Sequence, residues 1–460
     1  MLQNGVSKPM GRYPNNGYFT YEGHSGKNSI TDNQSPGITN WTGAELVIRS
    51  SHWTLDRTIV STNTSGLFTY NPATTYEPVN GLGYFIQNDS RTLDTAGEWY
   101  YNPTTHRLKL YSREPPLNVQ MSTKDTLISI EGSNIIIDNI EVSGANMYGF
   151  STDWYRNNVT IQNCAILFSG IDAIKLGGLT NVKIQNNIIS NSNNNGINLY
   201  YANPYPTIKN NIIRNTGIYP GMGQSGTGAY CGVILNASTG SVAEFNKIVN
   251  TGYDGLFFSG DSALIANNYI DTFCITLEDG GGIYTSSTST VYTGSKVKNN
   301  IILNGIGVID GSTTTREYLA EGIYLDDGSE QIEVSGNTVG HCGNQGIFLH
   351  NANEINVHHN TVFNCFKQLS FQQDQEFNLI QNNNINNNIF VSKLASQPVF
   401  AYTNYISFPI NKLGISDYNY YARPIDDNLS FLTNTAYNLS GWQSYSGLDA
   451  NSKKSPRSIK

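Results

Sequence analysis

Residues 186–215 read NNIISNSNNNGINLYYANPYPTIKNNIIRN, and the same Asn-Ile-Ile phrase stands at both ends, with Asn187 and Asn211 separated by 24 residues. Between them lies a short β-type run, GINLYY, bounded by Gly and Asn and showing no helical periodicity. The phrase continues outward. Asn187, Asn211, Asn246, Asn268, Asn300, Asn337, Asn360 and Asn383 each precede an Ile or Val by two positions, and Ile140 and Cys164 extend the column upstream. Self-similarity with a near-constant period marks stacked repeats, none of which buries its own apolar face alone. A repeat of about 23 residues, with short strands and polar corners, makes one coil of a parallel β-helix, its neighbours about 4.8 Å away. At that spacing, equivalent Asn side chains hydrogen-bond along the stack and satisfy an inward-turned corner. The fold expected is an all-β, right-handed parallel β-helix, the hand following from the preference for right-handed parallel crossovers.

Departures from the period locate the functional side. In a bare coil the Gly opening the next strand follows the column residue by nine, as in Asn187 to Gly196, Asn246 to Gly255 and Asn337 to Gly346. The interval grows to 21 (Asn211 to Gly232), 14 (Asn268 to Gly282) and 22 (Asn300 to Gly322), so the insertions leave at one corner. Loops on one side of a rigid solenoid build a cleft. Glu278, Asp279, Asp310 and Glu317 fall in these loops, with Glu321 at the edge of the next strand, in a chain only 13% charged. Solvated loop carboxylates are the plainer explanation of that cluster.

Alternation phases the strands after this corner. With Ile283, Ile323 and Ile347 inward, Phe257, Tyr284, Tyr324 and Phe348 form one outward column, followed by Ser259, Ser286, Asp326 and His350. Aromatic rings beside carboxylates and an imidazole suit a sugar site, since rings pack on pyranoside faces while polar groups hold hydroxyls. Burial of the strip beneath the N-terminal region is the competing expectation. Glycoside cleavage needs two carboxyl groups. Asp279, in EDGGGIYT, is the first candidate, with Gly280, Gly281 and Gly282 expected to fold tightly beside it. Asp326 in EGIYLDDG is the second and Glu321 its reserve, while Glu278 and His350 join the aromatics as substrate-binding candidates.

The division expected is a β-rich N-terminal domain over 1–120, the helix over 121–394 and irregular coils or a cap over 395–460. Trp41, Trp53 and Trp99 fall in the first part, where 97–111 reads as a β-hairpin. A net charge of −8 without a basic run argues against nucleic acid. No apolar stretch approaches a membrane span. Seven His residues lack HxH or HExxH spacing, so no metal or other cofactor is expected. Cys342 and Cys365, each five residues after a column Asn, are expected to stack as buried thiols, at a spacing that would also permit a disulfide.

The runs GRYPN (11–15), WTGAEL (41–46) and GYFIQNDSRTLDTAGEWYYNPTTHRLKLY (83–111), with DGGGIYT, GIYLDDGS and WQSYSGLDANS, resemble a group of secreted bacterial carbohydrate-active proteins. In these a β-domain accompanies a β-helix, and members include glycoside hydrolases with β-xylosidase and α-L-fucosidase activities. The resemblance covers nearly the whole chain and implies a poly- or oligosaccharide substrate and a secreted or periplasmic location. Members usually carry further sequence at both ends. Met1 is followed directly by LQNGVSKPMGRYPN with no signal peptide, as in a mature or trimmed chain. Two alternatives stay open. A polysaccharide lyase would need a cation against a uronate, and only Lys175 and Arg316 offer one, so it would lean on bound Ca²⁺. A non-catalytic glycan-binding β-helix would need only the aromatic strip.

Overall fold

The computed structural model describes residues 1–34, 40–152, 154–287, 290–313, 318–374, 378–407, 409–426 and 428–455; Arg316 and Glu317 lie outside them. Three long sheets wind through the chain as the faces of a parallel β-helix. The first has 13 strands, from Thr126–Ile130 to Ala436–Tyr437; the second has 11, from Ile135–Asp138 to Gly414–Asp417; the third has 12, from Glu141–Ala145 to Lys453–Lys454. The coils thus continue past residue 394, and the helix Leu439–Ser446 with buried Trp442 closes the end. Among the described residues no helix is long and apolar enough to cross a membrane.

Each coil sends apolar side chains from all three sheets into a shared interior, two from most strands of the first sheet, such as Ile197 and Leu199. Ile166, Ile189, Ile213, Ile248, Ile270 and Ile302 stack as one file, all fully buried. Beside this file runs the asparagine ladder. The Nδ2 of each Asn donates to the Oδ1 of the next, at 3.0 Å from Asn187 to Asn211, Asn211 to Asn246 and Asn246 to Asn268, and again through Asn300, Asn337 and Asn360. A second Nδ2 bond reaches a carbonyl of the preceding strand, and each Oδ1 also accepts the backbone N–H of the residue before it in the file. The buried amides therefore use their full bonding capacity.

The ladder corrects one position. Asn360 donates to Asn388, not Asn383, and Asn388 donates to Asn419. Asn383 sits at a different corner, accepting from the Ile355 N–H, and the core site expected for Ile385 is filled by Phe390 opposite Val362. All five cysteines are buried free thiols, Cys342 and Cys365 included.

The N-terminal region folds as an eight-stranded sheet, built mainly of antiparallel pairs around Glu45–Ser51, Thr54–Thr64 and Gly83–Gln87, with the hairpin Trp99–Asn102/Arg107–Leu110 beside it. Its central strands are buried on both faces. Leu46, Ile48, Tyr84 and Ile86 enter the domain's own core, whereas Val47, Leu55 and Phe85 join the core of the β-helix. Polar contacts reinforce the junction. Buried Arg49 donates from Nη2 to the Thr276 carbonyl (2.9 Å), Gln87 Nε2 to Gly221 (2.8 Å) and Arg57 Nη1 to Gly223 (3.1 Å). Thus the accessory domain is clamped onto the corner from which the insertions leave.

Candidate active-site groove

Tyr284 pairs with Tyr324 and Tyr324 with Phe348 across adjacent coils, while Phe257 precedes Tyr284. The ring centroids lie 5.7, 5.1 and 4.8 Å apart along this file. Two residues further on, Asp326 and His350 occupy the next outward column. The Tyr284 hydroxyl donates to Asp326 Oδ2 (2.8 Å), His350 Nδ1 sits 2.6 Å from Asp326 Oδ1, and His350 Nε2 sits 2.9 Å from Asp374 Oδ2. Burial alone would lower the imidazole pKa, but its hydrogen bonds and charge contacts with Asp326 and Asp374 outweigh that and raise it to about 9. His350 is therefore an imidazolium at neutral pH, donating through both nitrogens.

Asp279 arrives from the inserted loop ahead of strand Gly280–Thr285, with a left-handed φ of 63°. Neighbouring coils hold that backbone from three sides. Its N–H donates to Leu319 O (2.8 Å), its carbonyl accepts the Tyr253 hydroxyl (2.7 Å), and the following Gly281 N–H donates to Asp254 Oδ1 (2.8 Å). The side chain, in contrast, has no hydrogen-bond partner among the described residues and opens into the groove. Burial, then the nearby Asp326 charge, raises its carboxyl to about 6. The three glycines do not form the tight loop expected. They belong to the strand, and they are small because a Cβ at Gly280 would strike the Tyr253 ring and one at Gly282 the Ile302 side chain.

Asp279 and Asp326 share one groove of about 750 Å³ with Phe257, Tyr284 and Tyr324. The first inserted loop contributes Gln224, Ser225, Thr227 and Gly228 to its wall, and the N-terminal domain contributes Trp53 and Tyr76, their rings 5.5 Å apart. The N-terminal domain thus walls the groove along one side, and within the strip Phe257 and Tyr284 are half-buried whereas Tyr324 is 4% exposed. Among the described residues, none of the third loop lines the groove. Gly311 packs under Tyr18 and Gly83, placing the segment with Asp310 against the N-terminal domain.

Three other expected residues also stand outside the lining. Glu278 is fully buried at the domain junction, 2.7 Å from His52 Nδ1 and 3.9 Å from Arg49, so it anchors the domain. Phe348 is 5% exposed and stacks face to face on His350, with centroids 5.5 Å apart. Glu321, 1% exposed, accepts from Asn344 with one oxygen while the other has no partner. Burial pushes its carboxyl well above the usual range. Conversely, Asp254 lines the groove although nothing in the sequence singled it out, and burial raises its carboxyl to about 8. Its coil has bare length, but it occupies the corner position that Gly281 and Glu321 hold in later coils, a register readable from the glycine spacing.

Ligand atoms of Asp326, Asp327 and His350 come within 4.8 Å of one another. The arrangement fits a hydrogen-bonded relay from Tyr284 through Asp326 and His350 to Asp374.

The family model for a right-handed beta helix region matches residues 117–231, 154–317 and 221–397. A solved structure titled a glycoside hydrolase is similar in fold, with a TM-score of 0.57 at 13% identity, covering 84% of this chain and 76% of that one. More remote are the A-module of a mannuronan C-5 epimerase from Azotobacter vinelandii (TM-score 0.39, 11% identity, 73% and 89% covered) and a lacto-N-biosidase from Eubacterium ramulus (0.40, 10%, 69% and 51%). A search of curated protein sequences found no significant match.

Proposed function

The chain belongs to the right-handed β-helix family, and on that premise we propose that it hydrolyses glycosidic bonds of a poly- or oligosaccharide lying in the groove. Asp279 is the general acid and Asp326 the second carboxylate, acting as base or nucleophile. The observation carrying this reading is the contrast between the two groups. Asp279 has a fixed backbone, an unpartnered carboxyl facing the groove and a pKa raised to about 6, as a proton donor to a leaving oxygen requires. Asp326, with hydrogen bonds from Tyr284 and His350, is oriented for the opposite role. Tyr284, Trp53 and Tyr76 offer ring faces and edges for the sugar. Asp254, beside Asp279, shares its low-dielectric surroundings and keeps charge off the acid while itself protonated.

Elimination on a uronate is disfavoured, since Asp326, Asp327 and Asp279 gather where a substrate carboxylate would have to sit. A glycan polymer substrate goes with a secreted or periplasmic place of action. The test is product analysis on a panel of plant and algal polysaccharides. Hydrolysis gives new reducing ends without unsaturated sugars, and loss of both carboxylates in Asp279→Asn/Asp326→Asn stops their appearance. Unsaturated ends, or turnover unchanged in the double variant, would refute the assignment.

A further inference from the structure

The groove does not end at the acids. Its outward column runs back from Tyr284 through Phe257, Ile234 and Asn198 to Lys175, four coils away, or about 19 Å at about 4.8 Å per coil. Lys175, Asn198 and Tyr200 line the same cavity as Asp279. The Lys175 ammonium donates to the Tyr148 hydroxyl (3.0 Å) and stands over the Tyr148 and Tyr200 rings, 4.8 and 5.1 Å from their centroids. That contact uses one of its three donors. It forms no ion pair among the described residues. Asp172, the acid of its own coil, is fully buried and gives its oxygens to Asn194, Asn195 and Asn198. Apart from His350, closed between two carboxylates, Lys175 is the one cation among the described residues lining the groove. Beyond it the surface stays aromatic. Tyr200 meets Trp154 at 5.5 Å and Trp154 meets Tyr201 at 4.7 Å, with Trp154 40%, Tyr201 50% and Tyr155 78% exposed.

Building on the hydrolytic reading, we infer that the groove takes an anionic glycan, with the carboxylate or sulfate of one unit seated on Lys175 and an uncharged unit at Asp279 and Asp326. Segregated charge sets the register. The acid cluster repels an anionic unit from the bond to be cleaved, and Lys175 holds it several units away. The exposed Trp154 platform carries the chain further, so the substrate is an oligomer or polymer rather than a disaccharide. Carboxylate and sulfate share this chemistry, and two probes separate them.

The test is calorimetric binding to the intact chain and, in parallel, to Asp279→Asn, using neutral xylo-oligosaccharides and the same oligosaccharides carrying a single uronate or a single sulfate near one end, at matched length. At least one anionic probe is expected to bind ten-fold or more tightly than the neutral one, with the advantage shrinking as salt is added. Lys175→Gln should abolish the preference, Lys175→Arg should keep most of it, and Lys209→Gln, at a surface pair with Glu244, should leave it unchanged. The tighter anionic probe names the group. A neutral probe bound as well as both anionic ones, a preference surviving Lys175→Gln, or no measurable anionic binding would each overturn the inference. Because binding is read without turnover, these results are separate from the product analysis. Reducing ends without anionic preference would remove only the distal subsite, and anionic binding without cleavage would remove only the hydrolytic reading.

Discussion

On the side carrying Asn187 to Asn419, coil after coil places the same amide in the same pocket and closes every hydrogen bond. On the side carrying Lys175 to Phe348, the equivalent position changes along the stack, from Lys175 through Asn198, Ile234 and Phe257 to Tyr284, and Asp279 keeps an open carboxyl. Both sides are made by the same backbone at the same spacing. A satisfied position profits from repetition, since an identical neighbour is the ideal partner. A reactive position needs an unlike neighbour, one that shifts its pKa or holds it in place without consuming it.

Substitutions should separate the two sides. Asp279→Asn is expected to cost about 10²–10⁴-fold in kcat with Tm nearly unchanged, and Asp326→Asn a similar amount in kcat with some loss of Tm, since it removes one charge partner of His350. Loss of Tm in parallel with activity in Asp279→Asn would show that acid to be structural. Asn268→Ala should do the reverse. It strands the backbone N–H and one Nδ2 hydrogen of Asn246 and the carbonyl of Ala243 in the interior, costing about 3–9 kcal/mol at about 1–3 kcal/mol per unmet group, while folded molecules keep their kcat. Denaturant titration with single-turnover assays distinguishes these outcomes.

Acidity offers a third separation. A general acid is active while protonated, so kcat should fall as pH rises through about 6, roughly ten-fold per unit beyond it. His350 acts on stability. Its folded pKa is raised to about 9, so its contribution is complete below about 6.5, the unfolded value, and is lost as pH rises through about 9. Tm should drop over that window in the parent and not in His350→Gln. The smallest effect is expected from Tyr284→Phe, which removes one hydrogen bond to Asp326 and should slow turnover by about 2- to 10-fold, corresponding to about 0.5–1.5 kcal/mol.

The legible part of the sequence was the part under the ladder's constraint. Bonds near 3.0 Å between amides on consecutive coils admit little but Asn, so the column shows through insertions of unequal length. It misled at 382–388, where two Asn runs lie close together and the 28-residue step to Asn388 was unmarked. Asp279 and Asp326 were visible because strand alternation and the inserted loop point to them. Trp53 and Tyr76 were not, since their place depends on how an antiparallel sheet docks on the coils, and sequence period carries no information about that. Glu278 and Glu321 looked like groove acids for the same reason, until docking and coil packing buried them.

The ladder has a direction and a terminus. One Nδ2 hydrogen of each ladder amide points toward the C-terminal coils, and the last, on Asn419, meets the buried Asp449 carboxylate, which also receives the Tyr421 hydroxyl and the Trp442 indole N–H. The amides are thus a row of parallel dipoles running into a fixed negative charge. A designer could lengthen this solenoid by splicing coils between Asn187 and Asn360, where each newcomer inherits a donor below and an acceptor above. Growth past Asn419 would set an amide against a stop that has no further acceptor to pass on.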